Sequence, residues 1–254
     1  MTPGSRPDGY RPEDFPPFAV TVDIVVVTLV DQRLHVLLVR RDGEPYAGAW
    51  ALPGGFVKPE ESLAEAADRE LQEETGVDAA AHLEQLGAYG DPGRDPRMRV
   101  VTVAYLAVLR RVDELRAGGD AADAALVPVA EVLSSDRRPL AFDHEQILRD
   151  AVAHLGDELE HTSLATAFVG PEFTLSELRT VYEASWDTAL DPGNFRRHML
   201  RSGLLAPTGT TRPPGPEGGK PGEVYRVEAP AGAPLPRPLR RPASTRRPHR
   251  DRDD

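Results

Sequence analysis

The 254-residue sequence contains no cysteine, which excludes disulfides, thiolate nucleophiles and cysteine-based zinc sites. It also has no apolar run approaching the ~20 residues that a membrane-spanning helix requires. The proline-rich residues 1–17 lack the apolar core of a secretory signal, and we expect them to be a disordered leader. These absences predict a cytoplasmic protein with no membrane partner.

Excess negative charge is missing from the second half of the chain. The net charge of −11 arises from residues 1–150, because residues 151–254 contain fourteen acidic and fourteen basic residues. Within residues 194–250, eleven Arg and one Lys stand against three Glu. An acidic N-terminal part and a basic C-terminal part indicate two units. The second unit either binds a polyanion or ends in a solvated basic tail.

The first unit, residues 18–157, is predicted to interleave strands and helices. Three runs rich in apolar, β-branched residues predict strands, at residues 19–29, 34–40 and 98–108. Between them, the Pro- and Gly-rich residues 44–55 predict a loop. Helices are predicted at residues 62–75, with a Ser62–Glu65 capping box, and at residues 143–155, with Asp143 as the cap. This order is typical of an α/β domain with a mixed sheet.

The second unit, residues 158–228, has the outline of a winged helix. Thr174 and Glu177 form another capping box, and Asp191 caps a short helix over residues 192–202. Two strands are predicted to follow, at residues 204–207 and 224–227. Residues 229–254, with six Pro and seven Arg, are predicted to be a disordered tail.

The short helix of this second unit is basic on its outward side. In a winged helix it would enter the major groove of double-stranded DNA, while arginines of the wing and the tail would contact phosphates. The candidate base-contacting residues are Asn194, Arg196, Arg197, His198 and Arg201. The alternative is a small accessory domain that serves dimerisation.

Three glutamates are predicted to share one side of the helix at residues 62–75. At about 100° per residue, Glu70, Glu73 and Glu74 fall within an arc of roughly 100°. The same arc holds the apolar residues Leu63, Ala66, Ala67 and Val77. Arg69 can reach Glu73 at i+4, but one arginine does not neutralise three inward carboxylates. Either a hard cation such as Mg²⁺ offsets them, or the face is solvated.

The residues from Gly55 to Val77 resemble a known motif. They match G-x5-E-x7-R-E-U-x-E-E-x-G-U, the Nudix box, at every specified position. This resemblance implies the α/β/α sandwich of Nudix hydrolases and hydrolysis of a nucleoside diphosphate linked to another group. It also implies that Glu70, Glu73 and Glu74, with the Gly55 carbonyl, hold Mg²⁺ or Mn²⁺.

The same resemblance suggests roles for further residues. Arg69 would orient the glutamates, and Glu61 would support the geometry between loop and helix. Two residues are candidates for the general base, Glu73 and Glu145. His144 is either a catalytic acid or a structural residue near the cap of its helix.

A four-residue loop segment and the C-terminal unit extend the resemblance. Arg94-Asp95-Pro96-Arg97 resembles a segment of Nudix proteins that act on ADP-ribose, so Arg94 and Arg97 are candidates for phosphate or ribose binding; otherwise they are solvated. FTLSELRTVYEASWDTALDPGNFRRHMLRSGLLAPTG, with the later EVYRV, resembles the DNA-binding domain of Nudix-related transcriptional regulators of NAD metabolism.

Membership of that regulator family implies a homodimer that binds a palindromic operator and senses ADP-ribose or a related ligand. Many members have a degraded Nudix box, whereas the box of this chain is intact. Two hypotheses follow. Either the chain is an ADP-ribose-type pyrophosphatase joined to a DNA-binding domain, or it is a repressor that binds the ligand without turnover.

Overall fold

The computed structural model describes residues 11, 14–76, 80–110, 121–134, 139–213 and 220–242. Most of the predicted leader, Val77 of the glutamate motif and residues 243–254 of the predicted tail lie outside this part. The strands are β1 (Ala19–Val30), β2 (Arg33–Arg41), β3 (Trp50–Ala51), β4 (Gly54–Phe56), β5 (His82–Tyr89), β6 (Val100–Val108), β7 (Ala121–Pro128), β8 (Glu172–Thr174), β9 (Ala206–Arg212) and β10 (Gly222–Arg226). The helices are α1 (Leu63–Thr75), α2 (Val129–Val132), α3 (His144–His161), α4 (Leu175–Trp186) and α5 (Pro192–Arg201).

Seven strands form one mixed sheet in the first unit. The path β3-β2-β1-β6-β5 forms its body, β4 adds to β1, and β7 adds to β2. Strand β1 runs parallel to β6 and antiparallel to both β2 and β4. The first two predicted strands form a hairpin, and its turn residues Asp31 and Gln32 both have positive φ, as a type I′ hairpin turn requires.

The sheet is covered by helices on both faces. Alternate residues of β1 point to opposite sides, so Val22, Ile24 and Val26 pack with α1 while Val25 and Val27 pack with α3. This arrangement is the α/β/α sandwich that the Nudix resemblance implied.

Helix α1 begins and ends at the predicted residues. The Ser62 side chain accepts from the Glu65 N–H, and the Glu65 carboxylate accepts from the Ser62 N–H, which completes the capping box. At the other end, Gly76 adopts a left-handed conformation (φ 71°) that a residue with a Cβ would adopt at a cost. Local sequence therefore fixes both ends of the helix that carries the glutamates.

The second unit combines α4 and α5 with a three-stranded sheet in the order β8-β10-β9. The Thr174–Glu177 capping box starts α4, and the Asp191 carboxylate accepts from the Asn194 N–H at the start of α5. Strands β9 and β10 pair antiparallel and form the wing. The predicted helix–turn–helix–wing order is thereby confirmed.

Three predictions about the chain's organisation differ from the structure. The boundary after residue 157 falls inside α3, which continues to His161 because Leu155 and Leu159 still pack into the core. The loop predicted at residues 44–55 contains β3 and the start of β4, whose two- and three-residue lengths leave no periodic pattern. Residues 229–242 of the predicted tail pack against the protein, with Leu235 only 8% exposed.

The two units share one hydrophobic core. Residues of α4, such as Tyr182 and Trp186, belong to the same cluster as the α3-facing residues of the sheet. The indole N–H of Trp186 donates to the Gly156 carbonyl of α3 over 3.0 Å. Within the described part of the chain, no helix is both long and apolar enough to span a membrane.

Replacing Trp186 with Phe tests the junction between the units. The change leaves the buried Gly156 carbonyl without its donor and removes part of a fully buried side chain. We expect the free energy of unfolding to fall by about 2 kcal/mol. Urea titration followed by circular dichroism measures the loss.

Trp50→Phe is the matched control. Trp50 is only partly buried, and its indole makes no hydrogen bond to another described residue, so its replacement should cost less than about 1 kcal/mol. Equal losses in the two variants would show that the Trp186 contact does not hold the junction together.

Candidate functional site

The guanidinium of Arg69 joins the motif glutamates of α1 to the loop before that helix. It donates to both carboxylate oxygens of Glu61 (2.6 and 2.9 Å), to Glu70 (2.6 Å) and to Glu73 (3.1 Å). A further N–H donates to the Phe56 carbonyl. The hydrogen bonds from Arg69 hold the pKa of Glu61 far below its ordinary value, at about 2, so this carboxylate stays charged.

The three motif glutamates occupy different environments. Glu70 is buried, Glu74 is partly buried and Glu73 is exposed, so the inward arc predicted for all three is wrong for Glu73. The Gly54 N–H donates to the Glu74 carboxylate over 2.9 Å. Burial, together with the negative charges of Glu70 and Asp23, raises the pKa of Glu74 to about 8. Negative charge is therefore costly at this position.

These residues fit a hard divalent cation in their chemistry. Carboxylate oxygens are the ligands that Mg²⁺ prefers, and the costly charge of Glu74 would be offset by a cation. A Cβ added at Gly55 would collide with the Glu70 carboxylate, so glycine lets the backbone approach that acid closely. As placed, no three acidic or histidine side chains in the described residues converge into a metal cage. Arg69 holds one oxygen of Glu70 and one of Glu73, so a cation at these residues would be bound through their other oxygens after the side chains converge.

A cavity of about 350 Å³ opens beside the motif, a size within the usual range for small-ligand pockets. Glu74, Gly54 and Gly55 line it. So do cationic and aromatic residues: Arg41, Arg94, Arg97, Phe56 and Phe142. Thus the predicted site residues Glu74, Gly55, Arg94 and Arg97 lie in one cavity, while Glu70 and Glu73 lie outside its lining.

Two arginines in the cavity repel each other. Burial, and then the positive charge of Arg97, lower the pKa of the Arg41 guanidinium. Both guanidinium groups lie over the Phe142 ring, at 4.9 Å for Arg41 and 6.0 Å for Arg97. An anion bound between them would relieve this repulsion, so this side of the cavity is suited to phosphate groups.

Arg94 is engaged in a buried ion-pair network. It donates to both oxygens of Asp143 (2.7 and 2.9 Å) and to Asp23 (3.0 Å), and its side chain is 4% exposed. Asp143 therefore does not cap α3 with its side chain, contrary to the prediction, because its carboxylate is held by this arginine. With three of its five N–H donors held by two carboxylates, Arg94 is placed to organise the cavity wall.

The two candidates at the start of α3 lie in different places. His144 lines the cavity, but its Nδ1 accepts from the Leu52 N–H (2.9 Å) and its Nε2 lies 3.5 Å from Asp23, which is a structural arrangement. Glu145 forms an ion pair with Arg149 (2.6 Å) and is not among the cavity-lining residues. The geometry thus separates Glu145 from the other candidate catalytic residues.

Sequence reasoning missed Arg41 and Phe142. Arg41 ends β2, where nothing in the local pattern distinguishes it from the preceding Arg40. Phe142 has a positive φ of 55°, a conformation that is strained for an aromatic residue and that concentrates at functional sites. Only the folded chain, which brings residue 142 back to the end of β2, reveals this part of the cavity.

The basic helix α5 presents its cationic residues to solvent. Phe195 and Met199 are buried. Four of the five predicted DNA-binding residues, Asn194, Arg196, Arg197 and Arg201, are exposed, and His198 is partly buried. Arg196 pairs with Glu223 of the wing at 3.3 Å. Arg197 and Arg201 form no ion pair with another described residue, so their charges are available to an external anion.

Comparison with known proteins agrees with this architecture. The NUDIX domain model matches residues 17–151, and the NrtR DNA-binding winged helix domain model matches residues 165–227. The predicted fold class, a Nudix α/β/α sandwich followed by a C-terminal winged helix, is confirmed.

Three similar proteins cover one or both units. The ADPR responsive transcriptional repressor NtrR of Acinetobacter baylyi is 34% identical over 219 residues, 85% of each chain. The ADP-ribose pyrophosphatase of Methanocaldococcus jannaschii is 38% identical over 128 residues, 50% of this chain and 71% of that protein. The crystal structure of Shewanella oneidensis NrtR complexed with a 27mer DNA has a TM-score of 0.72 at 33% identity and covers 87% of this chain and 99% of that one. The chain therefore belongs to the NrtR family, in which a Nudix domain is joined to a winged helix DNA-binding domain.

Proposed function

We propose that this chain is an ADP-ribose-responsive transcriptional repressor whose Nudix domain also hydrolyses its ligand. The observation that carries the proposal is the cavity itself, which is lined by a motif glutamate, Glu74, together with the cationic residues Arg41 and Arg97. One relative that spans both units is named an ADPR responsive repressor, and one that spans the Nudix unit is named an ADP-ribose pyrophosphatase. Both names support the same ligand.

The cavity offers complementary groups to each part of ADP-ribose. Arg41 and Arg97 would bind the diphosphate, whose negative charge offsets their mutual repulsion. The rings of Phe56 and Phe142 provide faces against which a nucleobase can stack. Arg94 would act indirectly, because it fixes Asp23 and Asp143 in the wall behind the ligand.

The Nudix family uses divalent metal ions, and we propose Mg²⁺ or Mn²⁺ held by Glu70, Glu73, Glu74 and the Gly55 carbonyl. Such an ion would neutralise the pyrophosphate and supply a water of lowered pKa. Arg69 would position Glu70 and Glu73 from behind, because it already contacts both carboxylates. Glu73 is exposed beside these metal-binding residues and remains the candidate general base. Glu145 would face away from the metal ion.

At the other end of the chain, α5 would read an operator in double-stranded DNA. Its free cations Arg197 and Arg201 would enter the major groove, and a homodimer would match a palindromic site. Similarity to a structure solved with a 27mer DNA supports this role. Ligand in the Nudix cavity would alter DNA affinity through the junction that both units share.

A second function, ligand sensing without turnover, is favoured by one observation. The glutamate oxygens already accept hydrogen bonds from Arg69 and Gly54, and no three acids converge in the described residues. A chain that kept this arrangement with the ligand bound would sense ADP-ribose without cleaving it. The relative spanning both units is named as a repressor and not as a hydrolase.

Turnover of ADP-ribose distinguishes the two functions. We expect Mg²⁺-dependent release of AMP and ribose-5-phosphate, detected by liquid chromatography. Glu74→Gln should lower kcat at least about 100-fold, because charge stabilisation by a metal is worth several kcal/mol. Glu65→Gln is the control, since Gln preserves the capping box on the same helix. Absence of turnover in the unaltered chain, with ADP-ribose bound in calorimetry, would leave only the sensing function.

Arg97 and Arg94 should differ in what their replacement changes. Arg97→Gln removes a cation from the cavity, so the Kd for ADP-ribose should rise at least about tenfold. It also removes the side-chain partner of the buried Asp95 carboxylate (2.6 Å), which keeps its hydrogen bond from the Arg97 N–H, so some stability is lost as well. Arg94→Gln leaves Asp23 and Asp143 without their partner, so the free energy of unfolding should fall by about 3–5 kcal/mol. Calorimetry and thermal denaturation of both variants provide the test. A stable Arg94→Gln variant that binds no ADP-ribose would instead make Arg94 a direct ligand contact.

Arg197→Ala should weaken binding to a duplex selected from a random pool by about 1–3 kcal/mol, without changing ADP-ribose turnover. Arg196→Ala should have a smaller effect, because Arg196 is already paired with Glu223. Fluorescence anisotropy measures both, with Arg149→Ala in the Nudix unit as the control. Unchanged binding by the Arg197 variant would show that α5 is not the recognition helix.

A further inference from the structure

Residues 229–242, here called the strap, lie beyond both matched domain models and cross the junction between the two units. The Leu235 N–H donates to the His161 carbonyl (2.7 Å), and the Leu239 N–H donates to the Glu160 carbonyl (2.9 Å). In return, the Ser163 N–H donates to the Ala233 carbonyl (2.8 Å). The strap is therefore hydrogen-bonded to the end of α3 and to the segment that connects the units.

Side chains fix the strap further. Leu235 is buried, and Leu239 packs against the core shared by both units. The Arg241 guanidinium donates to the Trp186 carbonyl at the end of α4, and the Arg241 N–H donates to the Glu160 carboxylate. Five prolines stiffen this segment and reduce the entropy lost on ordering it: Pro230, Pro234, Pro236, Pro238 and Pro242.

The strap and the wing flank opposite sides of α5. Arg196 contacts Glu223 of the wing, whereas the His198 ring donates to the Arg237 carbonyl of the strap over 3.3 Å. Residues two apart on a helix point about 200° away from each other. Since Phe195 and Met199 point into the core, α5 lies with its outward face between these two flanking elements.

The strap carries arginines that are not neutralised by acidic partners. The strap contains three Arg and no Asp or Glu. Arg237 and Arg240 are exposed and form no ion pair with another described residue. By contrast, the wing residues Arg212 and Arg226 are paired with Glu177 and Glu228. The strap arginines are therefore more available to an external anion than those of the wing.

We propose that the strap is a second DNA-binding element, in which Arg237 and Arg240 bind backbone phosphates along the groove edge opposite the wing. This inference rests on the proposed DNA binding by α5. Phosphate contacts carry no base specificity, so the strap raises affinity for every sequence alike. Because it is anchored to α3 and α4, the strap also holds these charges in a fixed position beside the recognition helix.

The salt dependence of DNA binding by the full chain tests this proposal. The probes are a duplex selected from a random pool and an unrelated duplex of equal length. In the Arg237→Gln/Arg240→Gln variant, the slope of log K against log salt concentration should become shallower by about 1.8 on both probes, as expected for two lost phosphate contacts. Affinity at low salt should fall at least about tenfold.

Two matched variants complete the design. Arg33→Gln/Arg149→Gln removes the same charge from exposed positions of the Nudix unit and should leave the slope unchanged. Arg237→Lys/Arg240→Lys keeps the charge and should restore it. A wild-type slope in the Gln variant, or an equal loss in the Lys variant, would overturn the role of the strap while leaving DNA binding by α5 intact. Failure of the unaltered chain to bind any duplex would overturn both proposals.

Discussion

One guanidinium, that of Arg69, holds together the acidic side of α1 and the loop that precedes it. It contacts Glu61 in a bidentate pair, then Glu70 and Glu73 on its own helix, and also the Phe56 carbonyl at the end of β4. Without such a cation, the three carboxylates gathered around it would repel one another. The position of the glycine-rich strand β4 against α1 therefore depends on this arginine.

Glu74 lies on the other side of α1, where Arg69 does not reach it. Its carboxylate is stabilised by one N–H, that of Gly54, and destabilised by burial and by nearby acids. An enzyme active site commonly retains such uncompensated charge, because a bound cation or substrate supplies the balance. In the same cavity, burial and the neighbouring charge of Arg97 lower the pKa of Arg41, so a ligand that carries both a metal ion and a diphosphate would offset both imbalances.

Local features of the sequence predicted α1 and its contacts well. The Ser62–Glu65 capping box, the stop at Gly76 and the pairing of Arg69 with Glu73 each depend on residues within four positions of one another. The same is true of the capped starts of α4 and α5. Such short-range rules do not depend on the rest of the fold, and for that reason they could be applied before it was known.

The cavity walls could not be predicted in the same way. Arg94 is separated from Asp23 by 71 positions and from Asp143 by 49, so no local pattern distinguishes this buried network from a solvated loop. The packing of the strap was missed because its composition is that of a disordered tail. Its order comes from two leucines and from backbone groups at the end of α3, which become available only when both units are folded.

Helix α3 connects the cavity of the Nudix unit to the junction with the DNA-binding unit. At its beginning, His144 lines the cavity and Asp143 accepts hydrogen bonds from the cavity residue Arg94. Near its end, Gly156, Glu160 and His161 contact Trp186 and the strap. The helix contains no proline across its 18 residues, so a shift of its first turn moves its last turn as well. A ligand can change the position of the DNA-binding unit only if it prefers one placement of this helix over another. The buried pairing of Arg94 with Asp143 is the contact through which that preference would act, since it ties the first turn of α3 to the wall that the ligand touches.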